Sequence, residues 1–119
     1  ERKLYIEVVN PSINNITIVY RNTSDVAYTT VESFEITYKL RIAHLVNGLD
    51  IPVSAKEVKS FDNLVATVES PVIVLLPPSI ANETAVRVDN HIVYISGKSL
   101  KDFDLATVKF LIIALNLKL

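Results

Sequence analysis

Residues 33–43 carry the feature that most restricts the fold. They read Ser-Phe-Glu-Ile-Thr-Tyr-Lys-Leu-Arg-Ile-Ala, so Phe34, Ile36, Tyr38, Leu40 and Ile42 alternate with Glu35, Thr37, Lys39 and Arg41. Successive side chains of an extended chain point to opposite faces, and this alternation predicts a half-buried antiparallel strand with one wet face. Asn47-Gly48 follows, between Val46 and Leu49. That dipeptide accepts the positive φ angles of a type I′ turn and predicts a hairpin into residues 49–54. Pro52 has no backbone donor, which places the second arm at a sheet edge.

Further strands are predicted over 3–9, 15–21, 26–31, 64–69, 72–76, 84–89, 92–96 and 106–118. The last run is apolar on both faces, and Val108, Ile112 and Ile113 favour strand over helix there. Residues 54–61 are ambiguous and fit one helical turn. Turn formers separate the runs, among them Asn22-Thr23-Ser24-Asp25, Pro77-Pro78-Ser79 and Asp89-Asn90. Strands recurring this regularly with no helix between them predict an all-β fold, an antiparallel β-sandwich that is immunoglobulin-like in the broad sense. At 119 residues the chain makes one domain over 1–119.

Composition narrows the function classes. Twelve Lys and Arg balance thirteen Asp and Glu, a net charge of −1, which removes the electrostatic basis for binding nucleic acid. Cys, Met, Trp and Gln are absent, while Ile, Val and Leu make up 42 residues, a thermophile-like bias. Without Cys there is no disulfide framework, thiolate metal site or thiol nucleophile. The sequence begins at Glu1, not Met. The expectation is the soluble part of a longer exported or membrane-anchored protein, touching the membrane only through an N-terminal anchor that these residues do not contain.

The motifs that carry chemistry are thin. Ser96-Gly97-Lys98-Ser99 resembles the end of a phosphate-binding loop, but the required earlier glycine is Ile92, and no helix is expected to follow. His44 and His91 are the only histidines, and their spacing does not suggest a shared metal. Asp102 and Asp104 fall on one side of an extended segment, with too few oxygens nearby for calcium. The expectation is a non-enzymatic protein with no cofactor and no metal. A small-ligand or carbohydrate-binding module is the alternative from another class, although Trp, the usual sugar platform, is absent.

Three sequons, at Asn15, Asn22 and Asn82, exceed chance for a chain with nine Asn. They are candidate glycosylation sites and imply an extracellular or cell-surface location. Val72 and Val74, and Phe110, Ile112, Ile113 and Leu115, lie in runs apolar on both faces. They are candidate interaction residues, through apolar patches or by strand addition to a partner protein or a second copy.

The segment Asn14-Asn15-Ile16-Thr17-Ile18-Val19-Tyr20-Arg21-Asn22-Thr23-Ser24, with its Ile-, Val-, Thr- and Asn-rich texture and lack of Cys, resembles soluble domains of archaeal cell-surface proteins. Pilin-like proteins and the archaellum accessory proteins FlaF and FlaG are similar in this style. The resemblance implies an exported β-sandwich behind a membrane helix, serving a surface filament or a stator-like complex that anchors a motility filament. S-layer or filament subunits would be its partners. A desiccation-type LEA-like β-domain is a weaker likeness.

Overall fold

The computed structural model describes residues 13–115. The strand expected over 3–9 and the last residues of the 106–118 run lie outside that range. The fold is mixed α/β rather than an all-β sandwich. In chain order it runs β1 (Ile16–Arg21), α1 (Val26–Val46), β2 (Val53–Val58), β3 (Val72–Leu76), β4 (Ala85–Asp89), β5 (Ile92–Ser96) and α2 (Leu100–Ala114). The five strands form one sheet in the order β2-β1-β3-β5-β4. All neighbouring pairs are parallel except β4 with β5. The immunoglobulin-like expectation fails with the sandwich.

The strand expected over 33–43 is the middle of α1, and residues 26–31 are its beginning. Helical geometry turns the alternation into something else. At about 100° per residue, positions two apart point to nearly opposite sides and positions four apart to the same side. Ile36, Leu40 and His44 therefore form one stripe, which is buried, while Phe34, Tyr38 and Ile42 form another, which is exposed. Asn47-Gly48 ends this helix instead of turning a hairpin. Asn47 is the C-cap, Gly48 has φ 75°, and the amides of Leu49 and Gly48 donate to the carbonyls of His44 and Leu45 at 2.8 and 3.0 Å. This is the Schellman arrangement, in which a left-handed residue lets the chain satisfy the last carbonyls. A Cβ at Gly48 would meet nothing within 4 Å. Gly48→Ala should therefore cost only the left-handed backbone strain, about 1 kcal/mol, read as a small drop in the urea midpoint at constant m.

The core follows from strand parity. Ile16 and Ile18, Ile73 and Leu75, and Val93 and Ile95 face the helices and pack with Ile36, Leu40, Phe103, Phe110 and Leu111. The opposite parity places Val19, Val72, Val74 and Ile92 on the other face, beneath Phe61, Leu64 and Ala66 of the β2–β3 connection. Right-handed crossovers account for this. A chain that steps outward from β1 to β2 over one face must return past β1 to β3 over the other. The stretch expected as a strand over 64–69 is this covering loop.

The candidate docking residues occupy different settings from those expected. Val72 and Val74 lie in β3, the central strand, bonded to β1 and β5 on either side, so they offer no open edge. Phe110, Ile112 and Ile113 are in α2, and Leu115 is its C-cap. Phe110 is fully buried, while Ile112, Ile113 and Leu115 are half-buried. Among the described residues, the sheet edges are β2 and β4. The hairpin that does form joins β4 to β5 through Asn90 and His91, both at positive φ (50° and 66°), with Asp89 paired to Ile92. That is the turn geometry expected of Asn-Gly, found at Asn-His.

Candidate interaction surface

In open α/β sheets, ligands collect beyond the carboxyl ends of the strands, where the strand order reverses. Here that place lies between β1 and β3, and a hydrogen bond bridges it. Asp25 occupies the N-cap position of α1, yet its side chain makes no capping bond to that helix. Its Oδ2 instead accepts the backbone N–H of Ser79, in the β3–β4 loop, at 2.7 Å. The Gly97-Lys98-Ser99 turn nearby does lead from a strand into a helix, contrary to expectation. Its donors are used internally. Gly97 N–H goes to the Leu76 carbonyl (3.2 Å), Lys98 N–H to Thr84 Oγ1 (3.0 Å) and Asp102 N–H to Ser99 Oγ (3.0 Å). The last bond is an ordinary N-cap. A half-open cavity of about 170 Å³ lies between β4 and α2, bounded by Val86, Leu105 and Lys109. It is below the roughly 300 Å³ at which ligand pockets begin.

The layer of two helices is more unusual. The buried side of α1 holds only two large apolar residues, Ile36 and Leu40. Thr29, Glu32, Ser33 and His44 are buried with them. Glu32 is 8% exposed and faces Asp104 and Thr107 of α2. Burial pushes its carboxyl up to about 7. The neighbouring Asp104, as hydrogen-bond partner and as a like charge, adds to the rise, and the Thr107 hydroxyl partly opposes it. Below about pH 7, Glu32 thus retains a proton that it can share with the Asp104 carboxyl. The hydrogen bond of the Thr107 hydroxyl in this structure goes to the Phe103 carbonyl, at 3.1 Å.

The outward side of α1 is apolar. Val31, Phe34, Tyr38 and Leu45 are 58, 66, 58 and 53% exposed, and Ile42 continues the line between the last two. The rings of Phe34 and Tyr38 stack with centroids 6.3 Å apart. Glu35 and Lys39 border the stripe as an ion pair at 3.4 Å. Scattered exposed apolar side chains are normal on a protein surface, but a continuous aromatic and aliphatic row along a helix marks a contact surface. Spacing by fours at 34, 38 and 42 is the signal that would have found it.

The other sites named from the sequence are dispersed. Asn15, Asn22 and Asn82 are exposed and outside helices and strands. His44 is buried near the end of α1 and His91 is in the β4–β5 turn. Asp102 and Asp104 sit in the first turns of α2 rather than on an extended segment. Among the described residues, no three His, Asp or Glu side chains gather as a metal-ligand set. No helix among them is long and apolar enough to cross a membrane. No protein-family model, curated protein or solved structure matches the chain.

Proposed function

We propose that this chain is a protein-interaction domain and that the outward face of α1 is its working surface. The observation that carries the reading is that this helix, which gives Ile36 and Leu40 to the core, is apolar on its outward side as well. It buries Thr29, Glu32, Ser33 and His44 and leaves Val31, Phe34, Tyr38 and Leu45 in water. A helix that served only its own core would carry charged and polar residues along its outward side. The contact is by apolar side chains. The bridged crevice and the small cavity at β4 favour this over a ligand-binding role. The three sequons, at Asn15, Asn22 and Asn82, lie outside α1.

A photo-activatable side chain at position 31 tests the reading in the host cell. It is expected to form protein adducts, and the same group at Lys101, in the exposed first turn of α2, is expected to form far fewer. The double variant Phe34→Ser/Tyr38→Ser should lose the adducts while keeping its folding stability within about 1 kcal/mol, since neither side chain supports the core. No adduct at position 31, or unfolding of the double variant, overturns the proposal.

A further inference from the structure

We infer that the partner of this surface is a second copy of the same chain, with the two α1 helices packed antiparallel about a two-fold axis at Tyr38. The inference rests on the interaction reading above and adds the identity and register of the occupant. A two-fold interface must be complementary to itself, so that whatever contacts position j from position i also contacts i from j. The stripe has that property. Its apolar residues stand four and seven positions on either side of Tyr38, at Phe34 and Ile42 and at Val31 and Leu45. With about 100° per residue, all of them fall within roughly 40° of the direction of Tyr38. Antiparallel pairing about that residue sets Val31 against Leu45 of the second copy, Phe34 against Ile42, and Tyr38 against itself.

The charged borders agree with this register. Glu35 and Lys39 lie on one flank of the stripe. In an antiparallel pair the same flank of each helix meets, so Glu35 of one copy comes beside Lys39 of the other while keeping its own Lys39 at 3.4 Å. Arg41 lies on the opposite flank, where the guanidinium of one copy reaches the exposed ring of Phe34 on the other, a favourable cation–π setting. The exposed stripe amounts to roughly 500 Å² per chain, so pairing would remove up to roughly 1,000 Å² from water before flanking contacts are counted, about the least that a specific interface buries.

The absence of native Cys makes the test direct. Facing positions on helices packed 8–10 Å apart bring Cα atoms within disulfide reach. Tyr38→Cys alone should oxidise to a covalent dimer. Val31→Cys and Leu45→Cys should each form no disulfide on oxidation alone but cross-link to one another when mixed. Sedimentation equilibrium of the unmodified chain should give twice the monomer mass, and Tyr38→Glu should raise the dissociation constant at least about 30-fold. Cross-linking of position 31 to 31 and of 45 to 45 would indicate a parallel pair and overturn the register. A purified chain that is monomeric at 100 µM, roughly a hundredfold above a micromolar dissociation constant, overturns the pairing. If adducts at position 31 to other proteins accompany that monomer, the interaction surface survives with a different occupant. If the monomer's Tyr38→Cys thiol resists alkylation and no adducts form, the stripe is covered within the chain and both readings fall.

Discussion

Gly97→Ala is expected to cost about 3 kcal/mol or more and to lower the thermal midpoint by roughly 10 °C. The chain has two glycines, and they are glycines for different reasons. Gly48 needs its positive φ; Gly97 needs space. A Cβ at Gly97 would overlap the backbone of Phe103 as well as its own Cβ. Backbone in the first turn of α2 cannot step aside as a flexible side chain would. Phe103 is itself almost fully buried in the main core, and its N–H is bonded to Ser99 O at 2.8 Å. Relief requires α2 to move off the sheet, which opens the packing of Phe103 and Phe110. Calorimetry of Gly97→Ala beside Gly48→Ala measures the difference. Equal, small losses would mean that α2 does not seat this closely on the β5 end.

Glu32→Gln is expected to stabilise the protein at pH 8 by up to about 3 kcal/mol and to leave it nearly unchanged at pH 4. The sign follows from proton uptake. The carboxyl is held near 7 in the folded chain against an ordinary value of 4.5. Below pH 4.5 both folded and unfolded chains carry the proton, and burial exacts no ionisation penalty. Between pH 4.5 and 7 the unfolded chain releases the proton while the folded chain retains it, so stability falls as pH rises. Above 7 the loss is complete and constant. Glutamine keeps the shape, can donate to Asp104 and does not ionise, so its urea midpoint should be flatter across that window. Parallel pH profiles for the two proteins would show that the Glu32 carboxyl titrates alike in the folded and unfolded chains.

The strands were more legible than their arrangement. Residues 72–76 and 92–96 are strands where the apolar runs place them, and β1 and β4 begin within a residue of the predicted positions. Direction was not legible, because a central parallel strand such as β3 and a sandwich strand both read as short, wholly apolar runs. The decisive error was at 33–43. An alternating run satisfies a strand with one wet face, and it equally satisfies a helix with two apolar stripes on opposite sides. Only length and tertiary contacts separate the two. The strand reading hides the candidate surface too, since it puts Phe34 and Tyr38 on a buried face. The Glu32–Asp104 pair had no local signal at all. Its members are far apart in sequence, and only the packing of α1 on α2 brings them together.

The strand pairing has a kinetic consequence. Asp89 pairs with Ile92 across a two-residue turn, and α2 follows β5 directly. Ile16 pairs with Val53 and Thr17 with Val72, so β1 cannot join the sheet until long stretches of chain have been closed into loops. Short closures lose little chain entropy and form early, whereas long ones slow the search. The C-terminal third is therefore the place for assembly to begin, with β1 inserting late between two strands made after it. A ribosome would emit β1 before β2 and β3, the strands that flank it, leaving Ile16, Ile18 and Val19 uncovered during the interval.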